Sequence, residues 1–251
     1  MHAMAAIAPR IAEQDPSAAS VRALLAGLPA GSVWQASHLA QSRGEVCSTG
    51  FDTLDAELPG GGWPLGALIE LLLERPGVGE LSMLLPVLER TRPEQWIVWL
   101  APPLLPYAPA LADAGVPLSR LLIVRPEQPR TLLWAARQAT VSGSCSAVLA
   151  WLPKIDSGGL RRLQLAAEDS ATPLFLFRPL DAAGQASPAP LRLALAARGG
   201  QLEVRIVKRK GPPAIRPVLL HIRPTAVDTD ALPPLSPTGS MTRPGMLERV
   251  R

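Results

Sequence analysis

The chain is poor in aromatic rings, cysteines and histidines. Only 4% of its 251 residues are Phe, Trp or Tyr, with one tyrosine and two cysteines. Cys47 and Cys145 cannot build a disulfide framework, and no metal-ligand spacing surrounds them. They read as ordinary thiols of a reduced cytoplasm. The three histidines, His2, His38 and His221, are scattered, so no catalytic pairing can be argued from them. No apolar run reaches the ~18 residues of a membrane span. The first ten residues show no basic leader ahead of an apolar core, so they do not read as a secretory signal. The expectation is a soluble cytoplasmic protein with no metal centre, no cofactor and no membrane contact.

What is present is apolar mass and punctuation. The chain is 47% hydrophobic, enough for a real core, and its 28 prolines make long uninterrupted helices unexpected. The net charge of +4 is unevenly spread. Residues 198–223 alone carry +6, from Arg198, Arg205, Lys208, Arg209, Lys210, Arg216 and Arg223 against Glu203, so the rest sums to −2. The positive charge is a local patch.

The most informative stretch is 49–81. Thr49, Gly50 and Asp52 give a turn and a cap for Phe51, Leu54 and Leu58. Gly60, Gly61 and Gly62 open a flexible loop that Pro64 and Gly66 close. Residues 67–73 are a core strand interrupted only by Glu70, and 75–79 are a loop. Residues 80–90 then have helical periodicity, with Leu81, Leu84, Leu85 and Leu88 on one side.

Strand, glycine loop, helix is where a phosphate-binding loop sits, with the pattern Gly-x-x-x-x-Gly-Lys-Ser/Thr. Setting Gly79 as the second glycine puts Glu74 at the first, Glu80 at the lysine and Leu81 at the hydroxyl. Glu80 reverses the charge that should meet the phosphates, and Leu81 has no oxygen for Mg²⁺. Gly77 and Gly79 keep only the turn.

Ser48-Thr49-Gly50, Leu54-Asp55 and Gly61-Gly62-Trp63-Pro64-Leu65-Gly66 together resemble the first motif of the RecA-like ATPase core. The form with Leu-Pro-Gly-Gly-Gly-Trp-Pro and a lost nucleotide loop is similar to the ImuA family, SulA-like accessory proteins of bacterial translesion DNA synthesis. The resemblance spans roughly 47–223 and is most specific over 49–66. It implies an α/β fold: a RecA-like, P-loop NTPase-type, mainly parallel sheet with helices on both faces, plus a C-terminal β-hairpin extension. It also implies a non-catalytic role in the SOS response. The implied partners are an inactive Y-family polymerase homologue (ImuB), an error-prone replicative-type polymerase and RecA itself. Two alternatives stay open: a RecA-like DNA-dependent ATPase, and a SulA-type cell-division inhibitor.

The remaining chain divides into a helix at 16–25 and a linker to 46, a core over 47–180, a basic hairpin region over 181–223 and a disordered tail over 224–251. Within the core, strands are expected at 95–100, 121–124, 147–152 and 174–177. Helices alternate with them at 107–114, 130–141 and 159–167. The alternation at 191–197 and 202–208 around Gly199-Gly200 predicts a hairpin, followed by one more strand at 217–222.

RecA-like ATPases also need an acid at the end of a later strand and a glutamate after the second strand. Trp151 and Ala101-Pro102-Pro103 stand there, so no catalytic residue is expected, and Asp156 reads as a helix cap. The candidate partner or DNA surface is Arg205, Lys208, Arg209, Lys210 and Arg216. Simple alternation puts Arg205 and Arg209 on one face and Lys208 and Lys210 on the other. The competing reading is solubilising charge on an edge strand. Trp63, beside three glycines, is a second candidate anchor, or else a lid over the strand ends.

Overall fold

A computed structural model describes residues 45–126 and 128–222. The helix expected at 16–25, most of the linker after it and the expected tail at 224–251 lie outside the described residues.

The centre of the molecule is β3 (Leu68–Leu73), whose six residues are all buried. A strand covered on both faces carries apolar side chains at every position rather than at alternate ones, and Leu-Ile-Glu-Leu-Leu-Leu does so but for Glu70. Around it the chain lays down β4 (Trp96–Leu100), β5 (Leu121–Val124), β6 (Cys145–Trp151), β7 (Leu174–Pro179), β8 (Leu191–Arg198), β9 (Gln201–Lys208) and β10 (Val218–Leu220). Their spatial order is β10-β9-β8-β3-β7-β6-β4-β5. The strands from β8 to β5 pair in parallel; β9 and β10 pair antiparallel.

The sheet is therefore mixed and continuous. The expected hairpin extension is corrected: β8 is no appendage but lies parallel against β3, with Ile69 opposite Leu191 and Leu73 opposite Leu195. A separate two-stranded ribbon joins β1 (Val46–Cys47) to β2 (Trp63–Pro64) and closes the loop between them.

Two apolar layers flank the sheet. Ile69, Leu71, Trp99, Leu149, Phe175, Leu193 and Val204 face one way, under Met83, Leu84 and Leu88 of α2 (Glu80–Glu89) and Leu54 of α1 (Asp52–Asp55). Leu111 of α3 (Ala108–Asp113) belongs to the same layer. Leu68, Val98, Leu100, Val148, Ala150 and Leu176 face the other way. They lie under Leu132 and Ala136 of α4 (Pro129–Val141) and Leu160 and Leu163 of α5 (Ser157–Glu168). Burying a Leu side chain contributes about 1.5–3 kcal/mol, so these two layers dominate the stability.

Local devices set the helix entries. Asp156 Oδ1 accepts from the Gly159 amide at 2.6 Å and caps α5, as the sequence suggested. Inside α2, Pro86 sits against Gly50, where an added Cβ would lie 2.5 Å from the proline ring carbon. Gly50 also has φ of 85°, so the turn there depends on glycine twice over.

Candidate functional site

The loop between β3 and α2 is where a phosphate would sit if the chain bound one. Gly77 (φ 87°) and Gly79 (φ 108°) turn the backbone so that their amides converge. What they converge on is Glu80. Its Oε1 accepts from the Gly77 amide at 2.8 Å, and its Oε2 accepts from the Gly77 and Gly79 amides at 3.1 Å each. Glu80 is itself buried and begins α2, so its carboxylate also lies in the favourable field of the helix N-terminus. The anion that such a loop is built to hold is supplied by the chain itself. Leu81 packs against the core, Glu74 is exposed, and Ile222 lies on Gly79, with Cδ1 2.1 Å from where a Cβ would be. The loop's amides are occupied, and Ile222 covers Gly79.

The other catalytic positions are equally apolar. Trp151 ends β6 and stacks on Phe177 with ring centroids 4.3 Å apart and planes 8° apart. Trp99 tilts against it at 5.9 Å. No acid projects from this row of rings, and Asp156 is occupied as a cap. Among the described residues, no group of three or more His, Cys, Asp or Glu could hold a metal. Burial pushes both thiols, Cys47 and Cys145, above the usual range, which keeps them protonated and weakly nucleophilic. His221 meets Gln201 at 2.8 Å and, among the described residues, no carboxylate.

The predicted basic surface is partly brought together. Arg205, Lys208, Lys210 and Arg216 are exposed, and Arg209 is half-buried. The register shifts between Arg192 and Leu193, which pair with Lys208 and Ile206, so Val207 is an extra residue in β9. Arg205 opposes Ala194 and Lys208 opposes Arg192, and cross-strand partners share a face. The alternation expected from the sequence is thus corrected: the bulge puts Arg205 and Lys208 on the same face. β9 also ends at Lys208, so Arg209 and Lys210 belong to the following turn. Lys208 donates to the Ser187 carbonyl at 2.8 Å. Arg209 donates to Pro212 O at 2.7 Å and to both the carbonyl and the carboxylate of Glu57. Arg205, Lys210 and Arg216 are the more available cations.

Trp63 is not available to a partner. It is wholly buried, with its ring edge against Phe175 at a centroid distance of 5.3 Å. The glycines beside it do not expose it; pairing in the ribbon draws it inward, and Gly62 presses on the Cys47 carbonyl, 2.2 Å from a would-be Cβ. The sequence-based reading of an exposed anchor is corrected.

One cluster was not foreseen. Glu70, with no exposure, accepts from Arg178 Nη1 at 3.3 Å, from Arg192 Nε at 3.0 Å and from the Ser187 hydroxyl. Arg178 also donates to Gln185 Oε1 at 2.8 Å, and Arg192 to the carbonyls of Ala182, Ala183 and Gln185. A signal was present: one carboxylate inside an apolar strand demands buried donors, and Arg178 and Arg192 are the charges that interrupt β7 and β8. The pairing across more than a hundred residues was not readable from spacing.

Comparison with known proteins bears on the same region. A family model described as cell division inhibitor SulA matches residues 67–173, the segment from β3 to just before β7. The cell division inhibitor SulA of Yersinia enterocolitica is 29% identical over 117 residues, covering 46% of this chain and 70% of its own length. That of Yersinia pestis (strain Pestoides F) is 31% identical over 101 residues, covering 40% of this chain and 60% of its own length. The crystal structure of SulA from Pseudomonas aeruginosa aligns over 45% of this chain and 97% of that one, at 22% identity and a TM-score of 0.38. Residues 67–173 are therefore SulA-like. The expected RecA-like, P-loop-type core is overturned by this match, and the mixed sheet with Glu80 seated in the loop agrees with the correction.

Proposed function

We propose that this chain is a non-catalytic protein of the bacterial SOS response that acts by binding other proteins. The observation that carries the reading is Glu80. Its carboxylate takes the amides that would hold a phosphate, and Glu80 and Leu81 stand where such a loop needs a lysine and a hydroxyl. The finer assignment is an ImuA-like accessory of error-prone translesion synthesis. It would work with an inactive Y-family polymerase homologue and an error-prone replicative-type polymerase. Its support is the 48–66 motif together with residues 174–222, which lie beyond the SulA-matched segment and add β7 to β10 and the basic surface.

A second reading has an observation of its own. The relatives that match 67–173 are named cell division inhibitors, which favours a SulA-type protein acting on the division machinery. Affinity capture from DNA-damaged cells, with the bound proteins identified by mass spectrometry, separates the two. Recovery of polymerase subunits supports the first, and recovery of a tubulin-like division GTPase supports the second. ATP turnover stimulated by DNA and lost on altering Gly79 would overturn both.

A further inference from the structure

Helices α4 and α5 lie side by side over one face of the sheet. Leu132, Ala136 and Thr140 of α4 and Leu160, Leu163 and Ala167 of α5 are buried. At 3.6 residues per turn, the opposite stripe of α4 runs through Arg130, Trp134, Arg137 and Val141, and that of α5 through Arg161, Arg162 and Leu165. All of these are exposed. Trp134 is 60% exposed, whereas Trp63, Trp99 and Trp151 are buried and Trp96 is half-buried.

A lone ring on a surface needs no explanation. What singles out Trp134 is its company. Arg130 stands four residues before it and Arg137 three after, on the same helix face, and α4 contains no acid. Lys154, in the turn before α5, joins Arg130 in a hollow of about 700 Å³ at the start of both helices. The acids of this side are otherwise placed. Asp156 caps α5, Glu168 accepts from Gln164 at 2.8 Å at the far end of that helix with Asp169 beyond it, and Asp181 lines the hollow. Glu127, before α4, lies outside the described residues. Arg130, Arg137, Lys154, Arg161 and Arg162 form no ion pair with another described residue.

Exposed guanidiniums match phosphate oxygens in charge and in planar geometry. In a single nucleic-acid strand each base stands between two phosphates, as Trp134 stands between two arginines. A base stacks on an indole whatever its identity, because every base has a π-face. A duplex offers the phosphates but keeps its bases inside. An acidic peptide matches the arginines, but its carboxylates offer the indole nothing. The basic surface at 198–223 holds no Trp, Tyr or Phe, so it lacks this second half of the match.

We propose that the outer face of α4 and α5 binds single-stranded DNA, with a base stacked on Trp134, its flanking phosphates held by Arg130 and Arg137, and further phosphates met by Arg161, Arg162 and Lys154. The choice of DNA rests on the SOS role proposed above; the choice of a single strand rests on Trp134 and its arginines.

The test uses the full-length chain and three labelled probes of equal length: a thymidine-rich DNA strand, the corresponding RNA strand and a DNA duplex. Binding is followed by fluorescence anisotropy at several salt concentrations, with unlabelled polyglutamate as competitor. Only the purified protein is present, so a failure here is distinct from a failure to capture polymerase or division proteins from cells. The DNA strand should bind at least as tightly as the RNA strand and about tenfold more tightly than the duplex. Trp134→Ala, at an exposed position that leaves the circular dichroism unchanged, should weaken single-strand binding about tenfold or more and leave duplex binding as it was. Trp134→Phe should retain part of the difference. Arg130→Gln and Arg137→Gln should each make the salt dependence shallower by roughly 0.7 of a unit of slope. The effect of Trp134→Ala should persist in a Lys208→Ala, Lys210→Ala background. The proposal is overturned if the DNA strand does not bind, if Trp134→Ala binds it as tightly as before, if duplex or RNA is preferred, or if polyglutamate displaces the strand as readily as unlabelled DNA does. That last outcome would assign the face to an acidic peptide.

Discussion

Two places in this molecule present converging donors, and they end in opposite states. At the start of α2, the Gly77 and Gly79 amides and the helix N-terminus receive Glu80, an anion from the next residue along the chain. At the ends of β6 and β7, Arg178 and Trp151 line a cleft in which each keeps a donor that no described acceptor meets. The first place is closed by a neighbouring residue, Glu80. The second is left open because its groups come from strands far apart in sequence, with Arg178 tied 108 residues back to Glu70. The two places differ in whether the chain satisfies its own donors.

The sharpest way to test the contrast is to remove Glu70. Glu70→Leu leaves two buried guanidiniums with no carboxylate, and breaking a buried pair in this way costs about 3–5 kcal/mol. Urea denaturation should show that loss; a change below ~1 kcal/mol would mean that the charges are already neutralised by solvent. The sealed loop should respond less. Glu80→Gln keeps the shape but loses the charge on two amides and the helix end, at about 1–3 kcal/mol by the same measurement. A neutral outcome there would make Glu80 an incidental occupant.

The exposed cations give a third level. Replacing Lys208, Arg209 and Lys210 with Ala should change stability by only about 1 kcal/mol, most of it from the contacts of Arg209 with Glu57. If DNA is bound, the salt dependence of binding should become shallower by roughly one unit of slope per lost phosphate contact. Unchanged affinity for single- and double-stranded DNA and for a polymerase homologue would leave these residues as solubilising charge.

The smallest effect concerns Cys47, whose thiol burial pushes above its ordinary value of 9.0. The folded chain disfavours the thiolate, so the stabilising effect is complete below the unfolded thiol's value and fades as the pH rises past it. Cys47→Ser should flatten the decline of stability as the pH rises above the unfolded thiol's value. An identical pH profile would show that Cys47 is hydrated.

The elements were legible where a single stretch decides its own fate. The apolar runs at 96–100 and 145–151, the periodicity of 129–141 and the turn at Gly199-Gly200 each announce themselves, because burial on one or two faces dictates the pattern. What was not legible needed a partner from elsewhere. That residues 80 and 81 offer no lysine or hydroxyl could be read from the sequence, but that the Glu80 carboxylate accepts from the loop amides depends on how Gly77 and Gly79 turn. The hairpin was found, yet its place beside β3 was not, since nothing in residues 191–198 names their neighbour. The RecA-like assignment went wrong in the same way, by extending a local motif to a whole architecture. Trp63 failed because three flanking glycines suggest exposure, and only the ribbon with Cys47 turns the ring inward. The bulge at Val207 leaves no mark in the composition at all.

The position of β3 also sets a timetable. Both of its neighbours, β7 and β8, are made long after it, with Leu68 opposite Leu174 and Ile69 opposite Leu191. At a synthesis rate of about 5–20 residues per second, this strand, buried at all six positions, waits roughly 5 to 20 seconds for its first partner. During that interval it has no sheet to join, and an unsatisfied strand of this kind is what holding chaperones recognise. Such late closure also implies slow refolding in isolation, because distant pairings must be found before any of them is rewarded. Abundance of this protein in a cell would then respond to translation speed across residues 74–173 as much as to the stability of the finished fold.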